Sequence, residues 1–145
     1  MAGLVEASHV LSVPTHGKGF VDITVAVSAW LDGIGAAGGL LTVFITHTSA
    51  SLTIQENADP NVRRDLIDAL ESLAPEDRDY AHHEEGPDDM PSHIKTMLTS
   101  VSLSVPVRKG AMTLGTWQGI YLIEHRAASH QRNVVLSYIG SAAGD

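Results

Sequence analysis

The chain has 145 residues, 43% hydrophobic and 18% charged, a balance that suits one globular domain able to bury a core. Its formal net charge of −8, with only 9 Lys and Arg, argues against non-specific nucleic-acid binding, which needs a basic excess. Cysteine is absent, which excludes disulfides, thiolate metal sites and a Cys nucleophile and suits a reducing cytoplasm. No positive segment leads into an apolar stretch at the N-terminus and no apolar run is long enough for a bilayer. The expectation is therefore a cytoplasmic protein with no leader peptide and no membrane partner.

In chain order, Val21, Ile23, Val25 and Val27 alternate with Asp22, Thr24 and Ala26, the period of a half-buried strand. Ser28 can cap a short helix through Trp30, Leu31 and Ile34, which the Gly/Ala stretch 33–39 ends. Leu40–Thr46 is a continuous apolar run rich in β-branched residues, the pattern of a strand buried on both faces, and it delivers His47 at its end. Asp59-Pro60 opens a helix: Asp caps free N–H groups and Pro is tolerated at the first helical position. Leu66, Ile67, Leu70 and Leu73 then share one face.

Residues 75–90 are acidic, contain Pro and Gly, and read as a loop long enough to suggest function. Pro91 can open another helix with His93 in its first turn. Val101, Leu103, Val105 and Val107 alternate as a strand, in which Pro106 belongs at an edge or bulge. A turn at 108–110, apolar segments around Met112 and Ile120, and a last strand over 133–139 follow, and the Gly/Ala-rich tail after it is expected to fray. Several strands with two or three helices predict an α+β chain or a β-sandwich with helical insertions, one domain over residues 1–145.

Two polar blocks carry candidate chemistry. Residues 80–93 hold His82, His83 and His93 beside Glu84, Glu85, Asp88 and Asp89, with no Lys or Arg among them. Clustered carboxylates repel, and a bound cation relieves that repulsion through the very side chains present. The second block is His47-Thr48-Ser49-Ala50-Ser51 followed by Glu56-Asn57-Ala58-Asp59-Pro60. The expectation is that folding joins the blocks into one metal or phosphate site. His47, His82 and His93 with a water would give an open site for zinc; Asp88 or Asp89 would add oxygen ligands, most naturally for magnesium. His47 reads either as ligand or catalytic base, or as a strand-end histidine bonded to backbone. Glu56 and Asn57 read either as support for ligating imidazoles or as helix-entry polarity. Thr48, Ser49 and Arg126 are candidates for phosphate binding. Trp117 and Gln118, flanked by Gly115 and Gly119, are either a heterocycle-binding wall or the anchor of a β-turn.

The stretch Ser102-x-x-Val105-x-Val107-x-x-Gly110-x-x-x-x-Gly115-Thr116-Trp117-Gln118-x-Ile120 resembles the signature of the YjbQ family, uncharacterised protein family 0047. The blocks His47–Leu52, Glu56-Asn57-x-Asp59-Pro60 and Tyr80-x-His82 through His93-Ile94-Lys95 resemble it in the same order. The resemblance implies a β-sandwich-like fold with helices, a homotrimer, and a histidine-bearing pocket for a divalent metal. It also implies a weak or auxiliary thiamine-phosphate synthase activity, joining a pyrimidine diphosphate to a thiazole phosphate with release of pyrophosphate. On that reading His47, Glu56 and Asn57 are catalytic, Thr48, Ser49, Trp117, Gln118 and Arg126 bind substrate, and His47, His82, His93 and Asp88 hold the metal. Where the family commonly has Asn after the loop histidine, this chain has His83. The alternatives are a non-catalytic trimer binding a metal or phosphorylated metabolite, and a metal-dependent phosphate-ester hydrolase.

Overall fold

Two antiparallel sheets face one another across the core in the computed structural model, which describes residues 3–144. In chain order the elements are β1 (Val5–His16), β2 (Gly19–Asp22), α1 (Thr24–Gly33), β3 (Ala36–Ile45), β4 (Ala50–Glu56), α2 (Pro60–Leu73), α3 (Asp89–Leu98), β5 (Ser102–Arg108), β6 (Ala111–Met112), β7 (Gln118–Glu124) and β8 (Ser129–Ala142). The larger sheet runs β1-β8-β3-β5-β6 and the smaller β2-β7-β4. Leu41, Val43 and Ile45 of β3, Val105 and Val107 of β5, and Val134, Leu136 and Tyr138 of β8 meet Ala50, Leu52, Ile120 and Leu122 of the smaller sheet. Val27 and Leu31 of α1 join the same core. This is the expected α+β domain of sandwich type, and Pro106 lies, as expected, on β5 near the open side of the sheet. Among the described residues no helix is long and apolar enough to cross a membrane.

Several elements differ from the expectation, each for a physical reason. The alternation at 21–27 is not one strand: β2 ends at Asp22, whose carboxylate accepts the Thr24 N–H at 2.9 Å and turns the chain into α1. A spacing of four is compatible with both periods; the helix buries Ile23, Val27 and Leu31 and leaves Val25 82% exposed. β3 is buried on one face only, because Leu40 and Phe44 point away from the core. β1 and β4 are additional strands. In β4 the polar Ser51, Thr53 and Gln55 alternate with Leu52 and Ile54, so half of its residues read as polar sequence. α3 begins at Asp89, before Pro91. The tail expected to fray instead extends β8 to Ala142, pairing with Ala36–Gly39.

α2 starts as expected, with Asp59 accepting the Asn61 N–H and Pro60 following. None of its residues is fully buried, and a cavity of ≈240 Å³ separates its Leu66, Ala69, Leu70 and Leu73 from Phe20, Thr53, Gln55 and Ile123 of the smaller sheet. At the β3–β8 pairing, a Cβ on Gly39 would lie 2.2 Å from the Ile139 carbonyl oxygen, and one on Gly140 would lie 2.3 Å from that of Gly38. Both contacts are to backbone, which cannot rotate away. Gly39→Ala and Gly140→Ala are each expected to destabilise by about 1–3 kcal/mol in urea titrations, the range for overpacking. Unchanged midpoints would show that the strands separate at no cost.

Candidate metal centre

Three structural pieces converge at one end of the smaller sheet. The loop between α2 and α3 carries His82 and is closed locally by the Tyr80 hydroxyl donating to the Pro75 carbonyl at 2.7 Å and by Gly86, whose φ of 103° suits glycine. α3 carries Asp89 and His93 one turn apart, so both project from one face. The turn between β3 and β4 supplies the Thr48 carbonyl. His82 Nε2 lies 2.6 Å and His93 Nε2 3.2 Å from the same oxygen, Asp89 Oδ2. Together they form a three-donor cluster with ligand atoms within 4.8 Å of one another.

The hydrogen bonds determine what these atoms can do. The Thr48 carbonyl can only accept, so His93 Nδ1 carries a proton and donates it at 2.9 Å. In the neutral ring, Nε2 then presents a lone pair to Asp89 Oδ2, itself an acceptor. Two acceptors 3.2 Å apart repel unless a proton or a cation lies between them. Ligating histidines ordinarily donate their other N–H to a carbonyl or carboxylate, as His93 does. Two ligands of a tetrahedral ion with bonds of about 2.1 Å sit roughly 3.4 Å apart, near the His93–Asp89 separation. The shorter His82–Asp89 contact is a hydrogen-bond distance, and the His82 side chain is half-exposed on its loop. Asp89 is only 2% exposed. Burial opposes its charge, but the His82 hydrogen bond, the charge His93 carries when its ring is protonated, and the Arg126 charge hold its carboxyl below the usual value.

The residues singled out in the sequence divide into two groups. The structure brings His82 and His93 together with Asp89, and draws the 47–51 block alongside through Thr48. It sets His47 apart from the cluster: His47 Nε2 accepts the Asn133 N–H at 2.8 Å, and Nδ1 faces the Arg132 guanidinium at 3.4 Å. Burial, then the Arg132 charge, lowers the His47 pKa. Asp88 is also outside the cluster, because its Oδ2 accepts from Arg126 Nε at 3.1 Å and the Ala127 N–H at 2.8 Å. Ser49 Oγ accepts from Arg132 at 2.9 Å. His83 donates to the Ala81 carbonyl at 3.0 Å. Glu56 accepts the Asp59 N–H at the entry to α2. Asn57 Nδ2 donates to the Thr116 carbonyl at 3.3 Å, and Gln118 Oε1 accepts the Gly115 N–H at 2.8 Å, while the Trp117 ring is exposed. Glu56 serves the helix entry and Asn57 and Gln118 bond within the 115–118 turn, but Trp117 is not the buried anchor of that turn that the sequence also allowed. All four sit where Glu56 pairs with Gln118, whereas Ala50 pairs with Glu124 at the metal end. At the rise of a strand, that is roughly 20 Å away, so within one chain the 47–51 half of the second polar block lies beside the cluster and the 56–60 half does not.

Sequence reasoning gave Asp89 less weight than its place warrants; its signal was the i, i+4 spacing to His93. It also missed the buried groups behind the cluster. Glu124 is fully buried and accepts from Arg132 Nε at 2.7 Å, Arg132 Nη2 at 2.6 Å, the Thr15 hydroxyl at 2.6 Å and the Arg126 N–H at 3.1 Å. Burial opposes its ionisation, but these donors lower its pKa. His125 Nε2 lies 2.8 Å from Ser51 Oγ, which accepts from Thr99 at 2.6 Å. Beside the cluster opens a cleft of ≈730 Å³ lined by Glu76, Arg78, Asp79, Tyr80, His82 and His83, among others.

A fold of two facing antiparallel sheets with three helices, a His-Asp-His cluster and an adjoining polar cleft defines a class of small α+β proteins. The model of the family described as UPF0047 protein YjbQ-like matches residues 9–141, and the chain belongs to this family. It is 47% identical over 132 residues to a UPF0047 protein of Synechocystis sp., with 90% of each chain covered. A conserved hypothetical protein of Thermus thermophilus shares the fold at a TM-score of 0.78 and 39% identity, covering 88% of this chain and 97% of that one. A hypothetical protein of Aeropyrum pernix superposes with a TM-score of 0.86 at 28% identity, covering 93% and 99%.

Burial, reinforced by the charge of Lys95, lowers His125 from 6.5 to about 4. Between those values the unfolded chain binds a proton that the folded chain does not, so acid favours unfolding. The depression is worth roughly 3 kcal/mol of stability at neutral pH, lost as pH falls from about 6.5 towards 4. The lowered carboxylates Asp88, Asp89 and Glu124 add a loss only at lower pH still, below their ordinary values. Urea midpoints measured across pH 7 to 4.5 are expected to fall steadily in the wild type and to flatten in His125→Gln; equal slopes would remove His125 as the cause.

Proposed function

We propose that the protein is a divalent-metal protein, zinc first and magnesium as the alternative, that handles a phosphorylated small molecule in the cleft beside His82, Asp89 and His93. The observation that carries this reading is the His93 Nδ1–H to Thr48 carbonyl bond, which turns the Nε2 lone pair outward against Asp89 Oδ2. Two imidazoles and a carboxylate leave a coordination position for water or substrate, the arrangement of a working rather than a structural zinc site. When bound, such an ion polarises a phosphate oxygen or activates a water. His82 and His93 supply the nitrogen donors, and Asp89 offsets the ion's charge. Arg78 on the cleft wall is a cation placed to pair with a phosphate, while Tyr80 is held in the wall by its bond to Pro75.

The resemblance favours a thiamine-phosphate synthase-like transfer: the thiazole nitrogen bonds to the pyrimidine methylene carbon as the bond to pyrophosphate breaks. No covalent enzyme intermediate is needed for such a displacement. A homotrimer is part of the proposal. The outer face of the larger sheet exposes Val10, Leu40, Phe44 and Ile139 in two apolar rows, Leu40 paired to Ile139 and both Phe44 and Val10 paired to Val135, with a row of Ser8, Ser137 and Thr42 between them; exposed apolar side chains of this kind support association. The charge balance and absence of cysteine support a cytoplasmic location for such a trimer, with no nucleic-acid partner.

Elemental analysis and calorimetric titration of untagged protein are expected to give about one ion per chain. His93→Ala and His82→Ala are each expected to weaken zinc binding by at least about 100-fold while the fold survives. Wild-type protein that takes up no zinc contradicts the proposal. With the metal loaded, product from the paired substrates marks a transferase, phosphate release from one marks a hydrolase, and saturation without product marks a binding module. Sedimentation velocity is expected to show a trimer that Phe44→Lys shifts towards monomer; a monomeric wild type at micromolar concentration contradicts the assembly.

A further inference from the structure

We infer that Arg126 is a positioning residue for the metal rather than a ligand for substrate phosphate; the inference rests on the metal reading above. Its guanidinium is occupied by the protein on all three nitrogens. Nε donates to Asp88 Oδ2 at 3.1 Å, Nη1 to Asp89 Oδ1 at 2.6 Å, and Nη2 to the Glu85 carbonyl at 3.0 Å. Three of its five N–H groups are thus held by the protein and its side chain is largely covered, so the bulk of its hydrogen bonding serves Asp88, Asp89 and the Glu85 carbonyl.

The chain of positioning begins in the core. Glu124, fully buried and locked by Arg132, accepts the Arg126 N–H at 3.1 Å. The next residue, Ala127, donates its own N–H to Asp88 at 2.8 Å. The guanidinium then spans from the end of β7 to the start of α3, and its bond to the Glu85 carbonyl holds the loop that carries His82. Arg126 therefore fixes both kinds of ligand: the carboxylate on α3 and, through the loop, one imidazole.

The division of the Asp89 oxygens has a chemical consequence. Oδ1 is taken by Arg126 and Oδ2 alone faces both imidazoles, so Asp89 serves as a one-oxygen ligand. That keeps the ion at three protein donors and leaves its remaining position for water or substrate. A lysine would preserve the charge but not the fork that holds Asp88 and Asp89 at once. Asp88 acquires a role in the same stroke, as the second anchor of the fork.

The test is Co²⁺ and Zn²⁺ binding, by chelator competition and by the visible spectrum of the Co²⁺ form, in wild type, Arg126→Lys and Asp88→Asn. All three donors remain in both variants. Affinity is expected to fall by about 10–100-fold in Arg126→Lys, the range for residues behind a metal ligand, and by about 10-fold in Asp88→Asn. The Co²⁺ bands of Arg126→Lys are expected to weaken as Asp89 adds its second oxygen, a change that mere loss of stability would not produce. If Arg126→Lys does not fold by circular dichroism, Asp88→Asn decides by affinity alone. Both variants binding metal like wild type with unchanged bands overturn the inference and leave the metal site standing. Unchanged metal binding with lost affinity for inorganic phosphate overturns it in favour of a substrate contact. A wild type that binds neither ion removes the site and the inference together.

Discussion

A single buried carboxylate organises this molecule. Glu124, at the end of β7 in the smaller sheet, binds Thr15 of β1 and Arg132 of β8 in the larger one, and so stitches the two sheets together at their shared end. Through Arg132 it holds Ser49 and the turn after β3, and through its second oxygen it holds the backbone of Arg126. An ion pair in this position adds little net stability over apolar packing, because desolvation offsets most of the attraction. Its effect is geometric. Its two oxygens take donors from β1, from β8 and from the backbone after β7, so the elements have one mutual arrangement in which no buried charge is left alone.

The candidate centre grows outward from that anchor by the same logic. Asp89 is a buried acid with Arg126 on one oxygen and two imidazoles on the other. The His82 hydrogen bond and, after it, the guanidinium favour its ionised form, and the Thr48 carbonyl orients one imidazole so that its free nitrogen confronts a negative oxygen. The arrangement is electrostatically incomplete without a proton or a cation, which makes proton and metal competitors for one place. Carboxylate pairing to an arginine and imidazole pairing to a carbonyl are the interactions that give a metal site its shape before an ion arrives.

How much of this the sequence disclosed depends on the range of the interaction involved. Strand and helix periods with local caps located β3, α2, β5 and the acidic loop, since those signals lie within a few residues: Asp59-Pro60 for α2, alternation at 101–107 for β5. Period alone could not separate a strand from a helix at 21–27, where a spacing of four satisfies both. It passed over β4, whose outward residues are polar because they face α2, α3 and the buried Ser51–His125 pair rather than water or the core. His82 and His93 were legible as a pair because acidic residues crowd them. What the sequence could not disclose is long-range pairing. His47 looked like a third ligand, yet its Nε2 is engaged by Asn133, 86 positions away. Glu56 and Asn57 looked like neighbours of the site because they follow the His47 block, and Trp117 and Gln118 because of their flanking glycines and the family resemblance; the length of β4 carries all four to its far end.

The central claim is that His82, Asp89 and His93 hold one divalent ion. It is tested most directly by anomalous diffraction at the zinc edge from crystals grown with zinc. The account predicts one strong peak between His82 Nε2, Asp89 Oδ2 and His93 Nε2, with Arg126 still on Asp89 Oδ1. A fully zinc-loaded crystal with no peak there, or with the ion on His47 instead, would contradict it.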